Sequence, residues 1–468
     1  MDPRHRFAPC LGFVATVLSL VVSQRLAIAA DAAPSRPNIV FILADDAGLG
    51  DFGCYGGKSI QTPHIDRLAA EGMRFTNAYS GSAVCAPTRC VLMTGQHTGH
   101  CVRRSNQSKH GLIPLPAAQF TVAQLLKAAG YATGGFGKWG LGNPATTGVP
   151  EKHGFDVWFG YYDQVHAHDY YTDHLIRNSQ RVPLPGNADG KNEQYSHDVT
   201  VDESLKFIDE HKSEPFFLYA AWTLPHGKYV IPSDAPYTDK PWSQDIKNYA
   251  AMITRLDADI GRLMKKIKDH GLDERTIVFF SSDNGANPQF VKELKSSAGL
   301  RGTKRFLYEG GIRAPLVVRW PGQVKAGTTS DLLTSHVDFL PTAAELTGQK
   351  PPPGADGVSI LPAILGRDED SGEKASRPLY WEIYEPFQQA VRIGKWKGYR
   401  NGTLEPLQLY HLADEPAEAT NVALKHAEVV KQIEGIMAKS HVPSPHFDTL
   451  EHPRAGGGKG KAKKARRK

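Results

Sequence analysis

The stretch Asn38 to Asp46 reads NIVFILADD. Its first seven residues form a continuous, uncharged run, the pattern of a strand covered on both faces. The run stops on two adjacent carboxylates, Asp45 and Asp46. Three further segments repeat this design. Tyr131 to Gly137 runs into Lys138, Pro215 to Trp222 (PFFLYAAW) is followed by Pro225-His226, and Arg275 to Ser282 (RTIVFFSS) runs into Asp283-Asn284. Leu316 to Arg319 is a shorter strand.

Helical patterns lie between these strands. Thr62 to Gly72 has a candidate N-cap in Thr62, Pro63 at the first helical position and Gly72 as its stop. Thr121 to Gly130 repeats the arrangement, and Asp198 to His211 precedes the next strand. In Asp245 to His270, Leu256, Ile260, Leu263 and Ile267 share one helical face. Alternating strands and helices predict an α/β fold, a large mostly parallel sheet sandwiched by helices.

The alternation fades after Lys350, at the linker-like Pro351-Pro352-Pro353-Gly354. Beyond it, Leu379 to Tyr384, Gln389 to Ile393, Trp396 to Tyr399 and Gln408 to Leu412 read as short strands, and Ala423 to Lys439 as a helix. A smaller C-terminal α+β subdomain containing an antiparallel sheet is expected. The predicted boundaries are 36–350 for the N-terminal catalytic domain, 351–445 for the subdomain and 446–468 for a disordered basic tail.

The chain has 468 residues, 40% of them hydrophobic and 22% charged. That composition excludes a disordered chain, a collagen-like fibre and a coiled coil. The net charge of +6 is a property of the tail, since Lys459 to Lys468 hold seven Lys or Arg. The tail is a candidate contact for polyanions, and the remainder is near neutral. At the other end, Arg4 and Arg6 precede apolar Leu11 to Val22, and Ala27-Ile28-Ala29 offers a small-x-small cleavage site. Residues 1–29 therefore read as a secretory signal peptide, and an exported, periplasmic or extracellular protein is expected. Cys10 lies in that signal, leaving Cys54, Cys85, Cys90 and Cys101. Four cysteines in so long a chain do not make a disulfide scaffold. Cys90 with Cys101 is the one candidate pair.

Ligands of open α/β sheets bind beyond the carboxyl ends of the strands. Four independent segments therefore deliver acids, an amide, a lysine and a histidine to one edge. Asp45, Asp46, Asp283 and Asn284 are hard oxygen donors. Carboxylates this close raise one another's pKa unless a cation lies between them, and Ca²⁺ or Mg²⁺ fits that donor set. An acid after a strand also serves as a cap for the next element, but two such pairs at strand ends argue for the metal.

Ser82 to Gly99 reads SAVCAPTRCVLMTGQHTG, a helix with Pro87 in its first turn and Cys85 at its N-terminus. Orphan N–H groups there favour negative charge, and Arg89 stands one turn on, within reach of Cys85. Cys85 is then a low-pKa thiolate nucleophile, a residue chemically altered before use, or a buried structural cysteine.

Cys85-Ala86-Pro87-Thr88-Arg89 resembles the C-x-P-x-R signature of type I sulfatases, formylglycine-dependent, arylsulfatase-like members of the alkaline phosphatase superfamily. Asp45-Asp46, Gly137-Lys138-Trp139, Pro225-His226, Asp283-Asn284-Gly285 and Gly302-Thr303-Lys304 resemble family segments in family order. Leu409-Tyr410-His411-Leu412, with Asp414, Glu415 and Pro416, resembles the closing motif. The resemblance spans Arg36 to Ser440.

The resemblance implies hydrolysis of sulfate monoesters by a hydrated formylglycine (3-oxoalanine) formed from Cys85. It implies Ca²⁺ held by Asp45, Asp46, Asp283 and Asn284, with modified Cys85 as a further ligand. Arg89 would support the hydrated aldehyde, Lys138 and Lys304 would bind the sulfate, and His226 would protonate the departing oxygen. The implied partners are a formylglycine-generating or anaerobic sulfatase-maturating enzyme and a sulfated carbohydrate or aryl sulfate substrate. Nucleic acid has no catalytic part.

One position departs from the pattern. Many members carry a His two residues after the Lys, where this chain has Gly140. His166 and His168 are the candidates to replace it or to bind substrate. Trp139, Tyr161, Tyr162, Tyr170, Tyr171, Trp222 and Tyr229 lie near the catalytic segments and suit sugar or aryl rings, though core packing also explains such residues. The alternatives are a phosphonate or phosphate ester hydrolase using the same site, a secreted polyanion-binding protein with a vestigial site, and a Cys–His thiol hydrolase.

Overall fold

The computed structural model describes residues 36–106, 108, 111–367 and 377–447. The predicted signal peptide and all of the basic tail beyond Phe447 lie outside the described residues. No described helix is long and apolar enough to cross a membrane.

The strands are β1 (Asn38–Ala44), β2 (Met73–Phe75), β3 (Ala78–Tyr79), β4 (Ala132–Lys138), β5 (Val157–Tyr161), β6 (His174–Arg177), β7 (Gln180–Pro183), β8 (Phe216–Ala221), β9 (Thr276–Ser282), β10 (Leu316–Arg319), β11 (Thr328–Ser330), β12 (Thr334–Ser335), β13 (Leu379–Tyr384), β14 (Phe387–Ile393), β15 (Trp396–Asn401) and β16 (Gln408–His411). Ten of them form one sheet in the order β11-β2-β10-β9-β1-β8-β4-β5-β6-β7. Its centre, β9 through β5, is parallel. β10 pairs antiparallel with β9, and β6 and β7 form an antiparallel edge hairpin.

The main helices are α1 (Pro63–Ala70), α2 (Cys85–Thr94), α3 (Val122–Ala128), α4 (Ser196–His211), α5 (Gln244–Asp269), α6 (Phe339–Leu346) and α7 (Ala427–Ser440). The first six cover both faces of the large sheet. Val40, Ile42 and Ala44 of β1 pack into one core with apolar residues of α1, α4 and α5. Ile39, Phe41 and Leu43 pack into the other with α2, α3 and α6. Side chains of a strand alternate between faces, so both must be apolar when both are covered. β1 is fully buried, as its sequence requires.

Glycines thin the sheet where rings cross it. A Cβ on Gly135 in β4 would stand 2.3 Å from the Trp158 ring, so no larger residue fits there. Trp158 meets Trp139 and Phe155 edge-on at 5.0 and 5.2 Å.

The smaller sheet runs β13-β14-β15-β16, antiparallel throughout. Ile433 and Met437 of α7 pack on its Val391 and Leu409. The helix begins at Ala427 rather than Ala423, because Ala423–Lys425 closes a separate 3-10 turn. The Cys90–Cys101 bond is not made. Both cysteines are free, and the Cys101 thiol donates instead to the Arg103 carbonyl at 2.8 Å.

Candidate active site

The parallel centre of the sheet brings the four strand ends together. Ala44 of β1 lies opposite Ser282 of β9, so Asp45 and Asp283 leave neighbouring strands side by side. The Asp46 N–H donates to Asp283 Oδ1 at 3.1 Å, and Asn284 Nδ2 donates to Asp46 Oδ1 at 2.9 Å. Asp46 holds φ +70°, a left-handed conformation costly for a residue with a side chain and common where function fixes the backbone.

Cys85 opens α2 against this cluster. Its Sγ lies 3.4 Å from Asp45 Oδ1, 3.9 Å from Asp46 Oδ1 and 3.7 Å from Asn284 Oδ1. Cys85 is only 1% exposed, and burial followed by the Asp283 and Asp45 charges pushes its thiol well above the ordinary range. That direction runs against a low-pKa thiolate at Cys85, because burial and the carboxylates outweigh the cations near the thiol. Arg89 also departs from the expected reach toward Cys85. Its Nη2 donates to Asp45 Oδ2 at 3.1 Å and Asp283 Oδ2 at 3.2 Å, and its Nη1 donates to the Lys138 carbonyl.

Two lysines complete the charge pattern. Lys138 Nζ donates to Asp45 Oδ2 and Lys304 Nζ to Asp46 Oδ2, each at 2.7 Å. Burial alone would raise Asp45, but Lys138, His226, Arg89 and Lys304 hold it well below the usual carboxylate range. Asp46 is lowered in the same way, with Lys304 the leading cation. Asp283 goes the other way, pushed up to about 7 by burial and by the Asp45 charge.

These residues fit a hard divalent cation. Asp45 Oδ1, Asp46 Oδ1 and Asn284 Oδ1 all approach one atom, Cys85 Sγ, while the lysines occupy the outer oxygens. Carboxylate and amide oxygens are the donors Ca²⁺ and Mg²⁺ take. Asp45, Asp46, Cys85 and His226 have ligand atoms within 4.8 Å of one another. Asp283 adds its carboxylate beside them, engaged with Asp46 N–H and Arg89.

His226 faces the same cluster. Its Nδ1 donates to the Gly227 carbonyl at 2.6 Å, so in the neutral ring Nε2 is the bare acceptor. Lys304 Nζ stands 3.4 Å from that Nε2, and Asp46 Oδ2 stands 3.5 Å from it. Burial, then Lys138, lowers His226 to about 4.

His166 and His168, two residues apart, point different ways. His168 stacks on His226 with ring centroids 4.5 Å apart and planes 13° from parallel. The His166 Nε2 contacts Thr172 Oγ1 at 2.8 Å and its ring stacks on His174 at 4.5 Å. His166 therefore faces its own loop through Nε2, whereas His168 faces His226. Gly140 has φ +77°, and a Cβ there would lie 2.6 Å from Gln164 Nε2, a buried donor without a partner among the described residues. No side chain fits at 140 unless Gln164 moves. Of the nearby aromatics, Trp139, Tyr161, Tyr162, Tyr170 and Trp222 are buried core residues, which leaves Tyr171 and Tyr229 partly accessible.

Asp51 went unread in the sequence. Its buried carboxylate accepts from Gly48 N–H at 2.7 Å, Ser296 Oγ at 2.5 Å and Tyr249 OH at 2.7 Å. Tyr249 OH also lies 3.2 Å from the Asp46 carbonyl, so this network braces the metal-side loop. A second convergence, of His97, His100 and Asp356, lies at the far end of α2. His97 Nδ1 accepts the Gly99 N–H at 3.2 Å, which leaves the ring proton on Nε2 and the ring without a free ligand atom.

Acids, an amide, lysines and a histidine gathered at the carboxyl edge of a parallel sheet mark a candidate catalytic site built for a cation and an anionic substrate. The family follows from comparison with known proteins. A family model described as Sulfatase matches residues 37–349, and one described as N-sulphoglucosamine sulphohydrolase, C-terminal, matches residues 302–442. The chain belongs to the Sulfatase family, in the alkaline phosphatase superfamily, and is a sulfuric ester hydrolase. It is 33% identical over 454 residues to N-acetylgalactosamine-6-sulfatase of Homo sapiens, covering 85% of this chain and 84% of that one. It is 33% identical over 391 residues to an arylsulfatase of Hemicentrotus pulcherrimus, covering 78% of this chain and 67% of the other. The solved structure of Ps i-CgsB in complex with k-i-k-neocarrahexaose superposes with a TM-score of 0.78 at 28% identity, covering 88% of this chain and 95% of that one.

Proposed function

We propose that this enzyme hydrolyses sulfate monoesters of carbohydrates, using a formylglycine made from Cys85 and a bound Ca²⁺. One observation carries the reading. Three metal-type oxygens lie within 3.9 Å of the Cys85 sulfur, inside a ring of Lys138, Lys304 and His226. When present, the hydrated formylglycine supplies an oxygen nucleophile toward sulfur, and the cation beside it offsets charge on the sulfate oxygens.

The chain's own residues do the rest. Arg89 bridges Asp45 and Asp283 and fixes both carboxylates for the cation. Lys138, fully buried, holds Asp45 ionised from below. Lys304 borders the accessible side, where its ammonium meets a sulfate oxygen. Gly227 orients the His226 ring so that Nε2 faces Lys304. A bound sulfate monoanion raises the proton affinity of that nitrogen, which passes a proton to the departing alcohol oxygen. His168, stacked behind His226, takes the proton-handling part that Gly140 leaves vacant.

Carbohydrate substrates are supported by the relatives, among them the N-acetylgalactosamine-6-sulfatases and the Ps i-CgsB oligosaccharide complex. The N-terminal pattern supports export, to the periplasm or outside the cell, and the basic tail is proposed to contact polyanions there. Maturation is assigned to a formylglycine-generating or anaerobic sulfatase-maturating enzyme. The test is sulfate release from sulfated oligosaccharides by protein coproduced with such an enzyme, alongside mass spectrometry of the peptide containing residue 85. Sulfate release together with an aldehyde at residue 85 is expected. An unmodified thiol in active protein, or faster turnover of phosphate diesters or phosphonates, would overturn the proposal.

A further inference from the structure

Lys304 points into the site, and the next two residues point out of it. Arg305 has a side chain 64% exposed, and Phe306 is 45% exposed in a protein that buries most of its large apolar residues. The segment is nonetheless fixed. Arg305 N–H donates to the Ala83 carbonyl at 2.9 Å, two residues before Cys85. The buried Gln388 carboxamide grips the chain on both sides of Phe306, donating to the Arg305 carbonyl at 2.9 Å and accepting the Leu307 N–H at 3.0 Å. Arg305 itself sits at φ +80°, a left-handed conformation that is unfavourable for a residue with a Cβ. A surface arginine without a task needs no such backbone.

The guanidinium is aimed but not consumed. Its Nε lies 3.6 Å from Glu385 Oε2, an ion pair beyond hydrogen-bond length, and among the described residues the guanidinium makes no hydrogen bond. The same Glu385 accepts from Ser105 Oγ at 2.6 Å and from Asn106 N–H at 2.8 Å, and Asn106 Oδ1 accepts the Ala86 N–H at 3.0 Å. Arg305 is therefore tied through two residues to the first turn of the nucleophile helix. A guanidinium that pairs loosely with one carboxylate and donates no hydrogen bond within the described protein keeps its N–H groups for an oxyanion, and an exposed aromatic face suits the apolar face of a sugar ring.

We propose that Arg305 and Phe306 form a second binding subsite, for an anionic sugar unit adjoining the one that carries the scissile sulfate. This rests on the proposed sulfatase reading and adds the charge of the neighbouring unit. The oxyanion is a uronate carboxylate or a second sulfate.

The experiment compares wild type, Arg305→Ala, Arg305→Lys and Phe306→Leu on three substrates. These are 4-nitrophenyl sulfate, a uronate-linked 6-sulfo-N-acetylgalactosamine disaccharide, and a disaccharide of the same 6-sulfo sugar whose neighbouring unit carries a second sulfate in place of the carboxylate. Arg305→Ala is expected to lose at least tenfold more kcat/KM on one of the saccharides than on 4-nitrophenyl sulfate. The loss should lie in KM, with Arg305→Lys intermediate, and the saccharide affected identifies the oxyanion. Phe306→Leu should follow on the same saccharide. Equal losses on all three substrates, or wild type that turns over only the aryl sulfate, would overturn the subsite. Wild type silent on all three would overturn the reading of the site itself. Calorimetric titration with the two saccharides would then still read the subsite, with weaker binding by Arg305→Ala expected and unaltered binding overturning it.

Discussion

The imidazole of His168 lies parallel to that of His226, with centroids 4.5 Å apart, although 58 residues separate them in the chain. Burial and Lys138 lower both rings below the ordinary histidine range, so the stack is neutral at rest. Exchange of protons with a reacting group is worth about 10²–10⁴-fold in rate. His168→Gln should cut kcat by roughly 10²-fold, more than it changes KM, with thermal stability near that of wild type. Steady-state kinetics on an aryl sulfate decide it, and a kcat within twofold of wild type would remove His168 from the chemistry.

Chelation and alkylation should separate cleanly. Prolonged EGTA is expected to abolish sulfate release and added Ca²⁺ to restore it, because Asp45, Asp46 and Asn284 offer only hard oxygens. Iodoacetamide should leave activity intact, since on the proposed reading the active enzyme has an aldehyde and no thiol at residue 85. The opposite pattern would indicate thiol chemistry.

Gly140→His restores the residue found in many members and is expected to harm this one. The position has φ +77°, and its Cβ would stand 2.6 Å from Gln164 Nε2. Strain and overpacking of this kind cost about 1–3 kcal/mol each. The variant should unfold at lower urea than wild type without gaining kcat, and adding Gln164→Ala should recover part of the loss.

Asp51 predicts a pH dependence of stability. Burial raises its pKa from 3.8 to about 6. The folded protein therefore binds this proton more tightly than the unfolded chain. The contribution is full below about pH 4 and is lost as pH rises through about 6. Against Asp51→Asn, which does not titrate, wild type should lose up to about 3 kcal/mol across that window, at 1.36 kcal/mol per pKa unit. Parallel urea-unfolding curves for the two proteins from pH 4 to 7 would contradict the assignment.

Much of this architecture is written locally. β1, β8 and β9 are central strands and show it as unbroken apolar runs, and the acids that follow β1 and β9 and the histidine that follows β8 must then meet at one edge. The C-x-P-x-R helix carries its own start. What escaped the sequence depends on partners far along the chain. β6 and β7 form an edge hairpin whose outer strand is largely exposed, so no apolar period marks it. His166 and His168 share one 3-10 turn, and only the positions of His174 and His226 decide which ring enters the site. Arg89 looked like a partner for the thiol because both lie on one helix face. Its actual acceptors come from β1 and β9, which no helical spacing reports.

The depth of residue 85 also sets an order of events in the life of the enzyme. Asp45, Asp46 and Asn284 close over its sulfur as soon as β1 and β9 pair beside α2. A second protein cannot insert its own catalytic groups there once that has happened. If residue 85 is converted as proposed, the converting enzyme would have to reach this segment while it is still open, and a molecule that folds ahead of it would be well packed but without a nucleophile. The active fraction of a preparation would then be set by a race during synthesis rather than by later treatment of the folded protein.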